Sequence, residues 1–375
     1  MIYFDNSATT MIHPEVVEAM LPYLKEEFGN PSGKYYRAAE NARKAVENAR
    51  EQVAKLLGCQ TDEVVFTSGT SESNNMVLKG MIDPLQRMDA HFVTTKTEHP
   101  SILETAKYLQ SRGCNVTFLE VDRFGRVRLE QLKDVLDQKP TLVSVIWGNN
   151  EIGSLNPIRE IANLCESMGV PFHTDATQVV GKLQVNMEVD RIRFLSCSAH
   201  KIHGPKGIGA CVIRKNELGI RTKLTPLIHG GGQEGDYRSG TLSVHNIVGF
   251  GKAAEIALKD LVKTSNHLRQ LEEVLVDRLK SLFPGVVHFN SDTKDKVPGI
   301  VNVRFSGVNN ELLLKKLADR VAMSTGSACS SGKPSHVLES IGLQLDQIRQ
   351  SVRISLSRYN TLDEVEAFLA ILQGG

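Results

Sequence analysis

The fold is decided by residues 170–201, which read VPFHTDATQVVGKLQVNMEVDRIRFLSCSAHK. Two short apolar runs in this stretch, residues 170–174 and 192–197, are rich in β-branched and aromatic residues and predict strands. Asp175 directly follows the first run, and Lys201 follows the second after three small or polar residues. We therefore expect two neighbouring strands whose ends bring an acid and a lysine to the same edge of a sheet.

The same alternation continues in both directions along the chain. Further strands are predicted at residues 63–67, 91–95, 116–119, 141–147 and 208–213, with amphipathic helices between them. The clearest helix precedes this set and ends at Gly58; its apolar stripe is Ala42, Ala45, Val46, Ala49, Val53 and Leu56. The alternation predicts an α/β fold with a mostly parallel central sheet covered on both faces. Such sheets bind their ligands at the carboxyl ends of the strands.

The last third of the chain has a different pattern. One long helix is predicted at residues 247–282, followed by strands at 300–305 and 352–356 and helices at 311–318 and 363–372. This pattern indicates a second, smaller α+β unit joined through the long helix. We expect a large α/β domain over residues 13–255 and a small α+β domain made of residues 1–12 and 256–375.

Composition excludes several classes of protein. The 375 residues carry a formal charge of +1, so no overall field attracts nucleic acid or an acidic membrane. The first residues resemble neither a signal peptide nor a transit peptide, and no apolar run is long enough to span a membrane. Six cysteines without CxxC spacing favour a reducing cytoplasm over disulfides or structural zinc. Four of them lie in or beside apolar segments and are expected in the core: Cys114, Cys165, Cys197 and Cys211.

Polar clusters follow several predicted strands and are candidates for one site. Residues 67–73, TSGTSES, could form a phosphate cup, although taken alone the pattern is more typical of a helix cap. Asp175 could likewise cap a helix or hold a positive charge. Lys201 lies among small residues, where a buried amine would be nucleophilic, and is a better candidate than Lys206 beyond the turn. A phosphate cup, an acid and a lysine are together what pyridoxal phosphate requires.

These clusters belong to a longer series of blocks that resembles the cysteine desulfurases, in the class V group of the aspartate-aminotransferase fold. The blocks run in family order from DNSATT at residues 5–10 to VRISL at residues 352–356. Between them lie FTSG (66–69), KTEH (96–99), NNEIG (149–153), DATQ (175–178), SAHK (198–201), RSGT (238–241) and STGSACS (324–330). The resemblance implies the pyridoxal-phosphate-dependent fold type I, with a large α/β domain and a smaller α+β domain.

The resemblance also implies roles for individual residues around the cofactor ring. Lys201 would carry the Schiff base, and Asp175 would pair with the pyridinium nitrogen, which makes the ring a better electron sink. His99 would stack on the ring and move protons, a role suited to a pKa near neutrality. Gln178 would bind the phenolic oxygen, and Asn150 would contact that oxygen or the substrate carboxylate.

Other residues are implied at the two ends of the site. The cofactor phosphate would be held by Thr70, Ser71, Ser198 and His200, with Thr241 reaching in from a second subunit of a homodimer. Ser71 stands where many relatives have Thr, and it keeps the hydroxyl. Arg353 would clamp the substrate carboxylate through two parallel hydrogen bonds. Without the resemblance, an arginine on a strand would serve equally as a surface ion pair.

Cys329 distinguishes this resemblance from other enzymes of the same fold. It lies in a run of small polar residues that predicts an exposed, mobile loop, where a structural core cysteine would not be found. By the resemblance, its thiolate attacks the sulfur of bound L-cysteine, which leaves alanine and a persulfide on Cys329. Only four residues separate Cys329 from Pro334, fewer than in many relatives, and this bears on the identity of the acceptor.

The leading hypothesis is therefore a cytoplasmic, homodimeric cysteine desulfurase. Its acceptor would be an iron–sulfur scaffold protein or a component of tRNA or DNA sulfur modification, with neither a membrane nor nucleic acid as a direct partner. No intrinsic metal site is expected, although Cys329 could bind a nascent iron–sulfur cluster transiently. The alternatives are a selenocysteine lyase, another lyase or transaminase of the fold, and a non-catalytic scaffold or regulator.

Overall fold

The computed structural model describes residues 1–82, 89–326 and 334–374. The strands are β1 (Ile2–Tyr3), β2 (Val64–Thr67), β3 (His91–Thr95), β4 (Asn115–Leu119), β5 (Leu142–Ser144), β6 (Phe172–Asp175), β7 (Phe194–Ser198), β8 (Gly209–Ile213), β9 (Val287–Phe289), β10 (Ile300–Phe305), β11 (Val321–Ala322) and β12 (Ser351–Ser355). The α-helices are α1 (Pro14–Lys25), α2 (Arg37–Leu57), α3 (Thr70–Met81), α4 (Pro100–Ser111), α5 (Leu129–Leu136), α6 (Ile158–Ser167), α7 (Val244–Lys259), α8 (Leu261–Leu282), α9 (Asn310–Leu317), α10 (His336–Ser340), α11 (Leu345–Ile348) and α12 (Leu362–Gln373).

A seven-stranded sheet forms the centre of the molecule, in the order β2-β8-β7-β6-β5-β3-β4. Its pairs are parallel except those of β8, which runs antiparallel to both β2 and β7. The predicted α/β fold with a mostly parallel sheet is confirmed. The strand predicted at 141–147 is shorter and ends at Ser144, although Val145 and Trp147 still donate to the carbonyls of His173 and Asp175.

Alternate residues of each strand pack into two separate cores, one on each face of the sheet. On β7, Phe194 packs with residues of α3 and α4, whereas Leu195 packs with residues of α2, α6 and α7. The two-residue period of a strand puts these neighbours on opposite faces. The sheet is therefore covered by helices on both faces, as the sequence predicted, and only its edges and strand ends remain for binding a ligand.

Helix α2 confirms its predicted stripe and its predicted end. All six apolar residues of the stripe are buried, five of them in one core with Ala45 outside it, and the helix ends at Leu57. Gly58 follows in the left-handed conformation with φ 61°, and an added Cβ there would lie 2.8 Å from the Cα of Asn186. Glycine is required at this turn because both its backbone angle and its close neighbour disfavour a side chain.

The C-terminal part of the chain departs from the prediction of one long helix. The helix predicted at 247–282 is two helices, α7 and α8, which meet at Asp260. Aspartate is a weak helix former, and the Asp260 carboxylate here binds the guanidinium of Arg358. The helix break at Asp260, which hydrophobic periodicity did not predict, therefore coincides with a tertiary ion pair.

Helix α8 packs with α12 against a three-stranded antiparallel sheet in the order β12-β10-β9. The two strands predicted here are confirmed, whereas β9 and the short parallel pair of β1 with β11 were not predicted. The N-terminal segment joins this unit, because Phe4 lies in its core and Asp5 bridges to Ser355. The domain boundaries at residues 12/13 and 255/256 stay a prediction.

The cysteine predictions agree with the structure. Cys114, Cys165, Cys197 and Cys211 are buried, and Cys59 is half-buried. None of the helices in the described residues combines the length and the apolar character that crossing a membrane requires.

Candidate active site

A cavity of about 530 Å³ opens where the carboxyl ends of β6 and β7 meet the N-terminus of α3. All but two of the predicted site residues line it: Thr70, Ser71, His99, Asn150, Asp175, Gln178, Ser198, His200, Lys201 and Arg353. Thr241 is exposed and is not among the lining residues. Cys329 lies outside the described residues. The cavity occupies the position that the parallel sheet predicts for a ligand site.

Lys201 ends a short 3₁₀ turn, Ala199–Lys201, that directly follows β7. It is half-buried, and its Nζ donates hydrogen bonds to the carbonyl oxygens of Ser7 and Ala8, the latter at 2.7 Å. Lys206, the alternative lysine, is exposed. The amine that faces the cavity at a strand end is therefore Lys201, and the N-terminal segment holds it there.

Asp175 is the last residue of β6 and is 3% exposed. Its Oδ2 accepts a hydrogen bond from Nδ2 of Asn74 at 2.9 Å, and its Oδ1 accepts one from the backbone N–H of Thr177 at 3.0 Å. These donors orient the carboxylate at the cavity wall. A buried, hydrogen-bonded carboxylate can offset a positive charge on a ligand more strongly than an exposed one.

His99 is the residue before α4 and lines the cavity beside Asp175. The backbone N–H of Ser101 donates to its Nδ1 at 3.1 Å, so a neutral imidazole carries its proton on Nε2. Burial lowers the pKa of His99, and the negative charge of Asp175 opposes that shift. Burial therefore favours the neutral imidazole, and Asp175 favours the charged form, at a ring that lines the cavity.

The N-terminus of α3 lies at the cavity, where the sequence predicted either a phosphate cup or a helix cap. Gly69 precedes the helix with φ 149°, a conformation that favours glycine, and no side-chain hydrogen bond caps the helix at this residue. Free backbone N–H groups and the helix dipole therefore remain for an anion. Thr70 bonds Thr177 at 2.7 Å, which ties the cup to the loop after β6. Burial lowers the pKa of His200, at the edge of the cup, to about 4.

Arg353 is buried in the cavity wall with 1% exposure, so the alternative of a surface ion pair is wrong. Its Nη2 donates to Oδ1 of Asp5 at 2.7 Å, and its Nη1 donates to the carbonyls of Asn150 at 2.9 Å and Gly326 at 3.2 Å. Its Nε has no hydrogen-bond partner among the described residues. The guanidinium is thus fixed at the cavity with donor capacity left for a carboxylate.

Three further residues contribute to the site and were not identified from the sequence. Asn74 lies one helical turn after Thr70, so the helical period could have indicated its contact with the site. Glu98 is buried beside His99, and burial raises its pKa to about 8. Lys182 is buried and donates to Oε1 of Gln178 at 3.2 Å. Of the other two residues, only Glu98 had a signal in the sequence, which was its position within the KTEH block.

The chain belongs to the aminotransferase class-V family, whose family model matches residues 2–368. Within this family it belongs to the cysteine desulfurases. It is 40% identical to the cysteine desulfurase IscS of Dictyoglomus turgidum, over 99% of this chain and 93% of that protein.

Solved structures agree with this membership. A NifS-like protein superposes with a TM-score of 0.92 at 35% identity, covering 100% of this chain and 98% of the other. A structure described as SspA in complex with cysteine superposes with a TM-score of 0.84 at 35% identity, covering 96% and 100%. These similarities confirm the predicted family and fold type.

Proposed function

We propose that the chain uses pyridoxal phosphate to convert L-cysteine and the thiol of Cys329 into L-alanine and a Cys329 persulfide. The observation that carries this proposal is the convergence of Lys201, Asp175, His99 and the N-terminus of α3 on one cavity. No single one of these groups is specific, because each has an ordinary structural role elsewhere. Their combination at the carboxyl ends of parallel strands fits one cofactor and few others.

The residues present fit pyridoxal phosphate. The uncapped N-terminus of α3 suits its phosphate, the buried Asp175 suits its ring nitrogen, and Lys201 suits its aldehyde. When bound, the cofactor supplies an electron sink that stabilises negative charge at the substrate α-carbon. Thr70, Ser71, Ser198 and His200 would hold the phosphate.

The chain's own residues then orient the substrate and move protons. His99 holds its exchangeable proton at Nε2 and would carry protons to and from the substrate. Gln178 and Asn150 would donate to the oxygen atoms of the cofactor and substrate. Arg353 would bind the substrate carboxylate with the guanidinium that Asp5 and two carbonyls already fix. The structure of SspA in complex with cysteine supports an amino-acid substrate of this size.

Sulfur leaves the substrate by transfer to Cys329. The thiolate attacks the substrate sulfur, a new S–S bond forms, and the C–S bond breaks with its electrons retained by the three-carbon fragment, which becomes alanine. The persulfide then passes to an acceptor, either an iron–sulfur scaffold protein or a component of tRNA or DNA thiolation. We also propose a cytoplasmic homodimer in which Thr241 completes the phosphate site of the other subunit.

The experiment is release of alanine and sulfide from L-cysteine with a reductant, in the wild type, Lys201→Ala and Cys329→Ala. We expect Lys201→Ala to lose the cofactor's visible absorbance together with turnover. Cys329→Ala should keep that absorbance and lose turnover, because the cysteine acts on sulfur and not on the cofactor. Matched controls are Lys206→Ala, an exposed lysine at the same cavity, and Cys59→Ala, a half-buried cysteine elsewhere.

Normal turnover by Cys329→Ala would contradict the persulfide mechanism and favour a lyase that acts directly on its substrate. Loss of turnover in Cys59→Ala with full activity in Cys329→Ala would move the acceptor role to another cysteine. An unchanged visible spectrum in Lys201→Ala would remove the lysine from the proposal.

A further inference from the structure

Lys182 is a buried lysine directly behind the cavity. It is 8% exposed, and its Nζ donates to Oε1 of Gln178 at 3.2 Å. In the part of the chain that the structure describes, no carboxylate lies within ion-pairing distance of this amine. Burial lowers the pKa of Lys182 to about 7, and the charges of Lys201 and Arg353 add to the shift. A lysine buried among cations is costly to retain, so its position calls for a reason.

The turn that carries Lys182 packs against the chain next to Lys201. Gly181 has φ 75°, and an added Cβ would lie 2.7 Å from Cγ2 of Ile202, the residue after Lys201. Lys182 and Lys201 also line the same small cavity of about 30 Å³. The glycine therefore allows the turn that carries Lys182 to pack closely against the residue next to Lys201.

Lys182 and the carbonyl of Ser7 together determine how the Gln178 amide is oriented at the cavity. A lysine ammonium only donates hydrogen bonds and a backbone carbonyl only accepts them, so Oε1 points to Lys182 and Nε2 points to the carbonyl of Ser7 at 3.0 Å. The same carbonyl also accepts a hydrogen bond from Lys201. The second N–H of Gln178 remains for the cavity that this residue lines. Without a donor at position 182, the amide could turn and present an acceptor instead.

We propose that Lys182 is a positioning residue that fixes Gln178 as a hydrogen-bond donor to the cofactor and, through its charge, disfavours protonation at Lys201. The proposal deepens the proposed function and rests on it, because it assigns a purpose to a residue that touches neither cofactor nor substrate. Donation to Oε1 also polarises the amide. It therefore strengthens the hydrogen bond that the second N–H of Gln178 would donate on the cavity side.

The other charged groups around the two lysines are mainly basic. Arg353 and His203 interact electrostatically with Lys182, and Arg358 lines the same small cavity. His99 and His200 face Lys201, and burial lowers the pKa of each. Burial favours the neutral form of both histidines, and Lys182, with a pKa lowered to about 7, is a nearby cation whose charge changes close to neutral pH.

The test is a pH titration of the visible absorbance of the cofactor-loaded enzyme, together with the rate at which cofactor dissociates. Lys182→Met removes both the donor and the charge, whereas Lys182→Gln keeps a donor and removes the charge. We expect both variants to raise the titration midpoint by about one pH unit, the effect of losing a nearby partly charged cation. Only Lys182→Met should also release cofactor about tenfold faster. Lys182→Arg, which keeps a full charge, should place the midpoint at or below that of the wild type.

Lys206→Met is the control, because that lysine is exposed at the same cavity and solvent screens its charge. Wild-type midpoints and dissociation rates in both the Met and Gln variants would overturn the inference and leave Lys182 as a space-filling residue. If Lys182→Met does not fold, the midpoint of Lys182→Gln alone decides the question of charge. A wild-type protein that binds no cofactor would instead overturn the proposed function, so the two failures are distinguishable.

Discussion

The cavity has two halves that are built in different ways. The half that we propose for the cofactor, the cofactor half, is lined by Thr70, His99, Asp175 and Lys201, with the strands and helices that precede or follow them directly. The half that we propose for the substrate, the substrate half, consists of Arg353 and its partners Asp5, Asn150 and Gly326. Asp175 and Thr177 are bonded two positions apart, whereas Arg353 and Asp5 are 348 positions apart.

The two halves differ in how far their residues depend on the whole fold. The ends of parallel strands meet at one edge of the sheet, so the positions of the cofactor-half residues follow mainly from the sheet, with the Lys201 amine also held by carbonyls of the N-terminal segment. The substrate half exists only if the N-terminal segment, the loop after β5 and β12 meet at one guanidinium. A substitution in the cofactor half should therefore mainly lower kcat, and a substitution in the substrate half should mainly raise KM for L-cysteine.

The largest effect is expected from Asp175→Asn in the cofactor half. The variant keeps the shape and one of the two accepted hydrogen bonds but removes the negative charge proposed to pair with the cofactor ring. We expect kcat to fall by about a thousandfold, the scale of losing one preorganised electrostatic group, with KM for L-cysteine changed much less. Steady-state alanine formation measures both constants. A kcat within tenfold of the wild type would contradict the role of Asp175 and with it the distinction between the halves.

A smaller effect is expected from Arg353→Lys in the substrate half. A single ammonium cannot replace bonds that two guanidinium nitrogens make to Asp5, Asn150 and Gly326, nor bind a carboxylate through two parallel bonds. We expect kcat/KM to fall by about a hundredfold, mainly through a higher KM. Arg304→Lys on the neighbouring strand β10 is the control and should leave both constants unchanged. If only kcat changes, Arg353 acts in the chemical step and not in substrate binding. The distinction between the two halves would then be wrong.

The smallest effect on activity is expected from Glu98→Gln, a substitution beside His99. Its main effect should be on the pH dependence of the free energy of unfolding. Burial raises the pKa of Glu98 from 4.5 to about 8, so the folded protein favours the neutral acid while the unfolded chain ionises. The stability that Glu98 contributes is therefore complete below pH 4.5. It is lost as pH rises towards 8, at about 1.4 kcal/mol per pH unit. Glutamine cannot ionise, so the variant should lack this loss and keep activity within about twofold.

Urea unfolding at pH 5 and pH 8 measures the difference for Glu98→Gln. The exposed Glu217→Gln is the control and should follow the wild type at both pH values. If the unfolding free energies of wild type and Glu98→Gln change equally between the two pH values, Glu98 is ionised in the folded protein.

Local patterns determined most of the fold and the cofactor half. Strand periodicity predicted the central sheet, a helix stripe predicted α2, and a glycine predicted its end. The family blocks added His99, Gln178 and Arg353, which periodicity could not have identified. The break at Asp260 was missed because its ion pair with Arg358 joins residues 98 positions apart, and no local pattern records such a contact.

Sequence patterns alone predicted the class of fold and the family, and they indicated Lys201 and Asp175 as site candidates, because these depend on short-range periodicity and on motifs. Only the tertiary structure places Arg353 against Asp5 in a buried position, places Lys182 behind Gln178, and buries Glu98 so that its pKa rises. The physical reason is that desolvation and hydrogen bonding depend on which distant segments exclude water from a side chain. Neither can be read from the neighbours of that side chain along the chain.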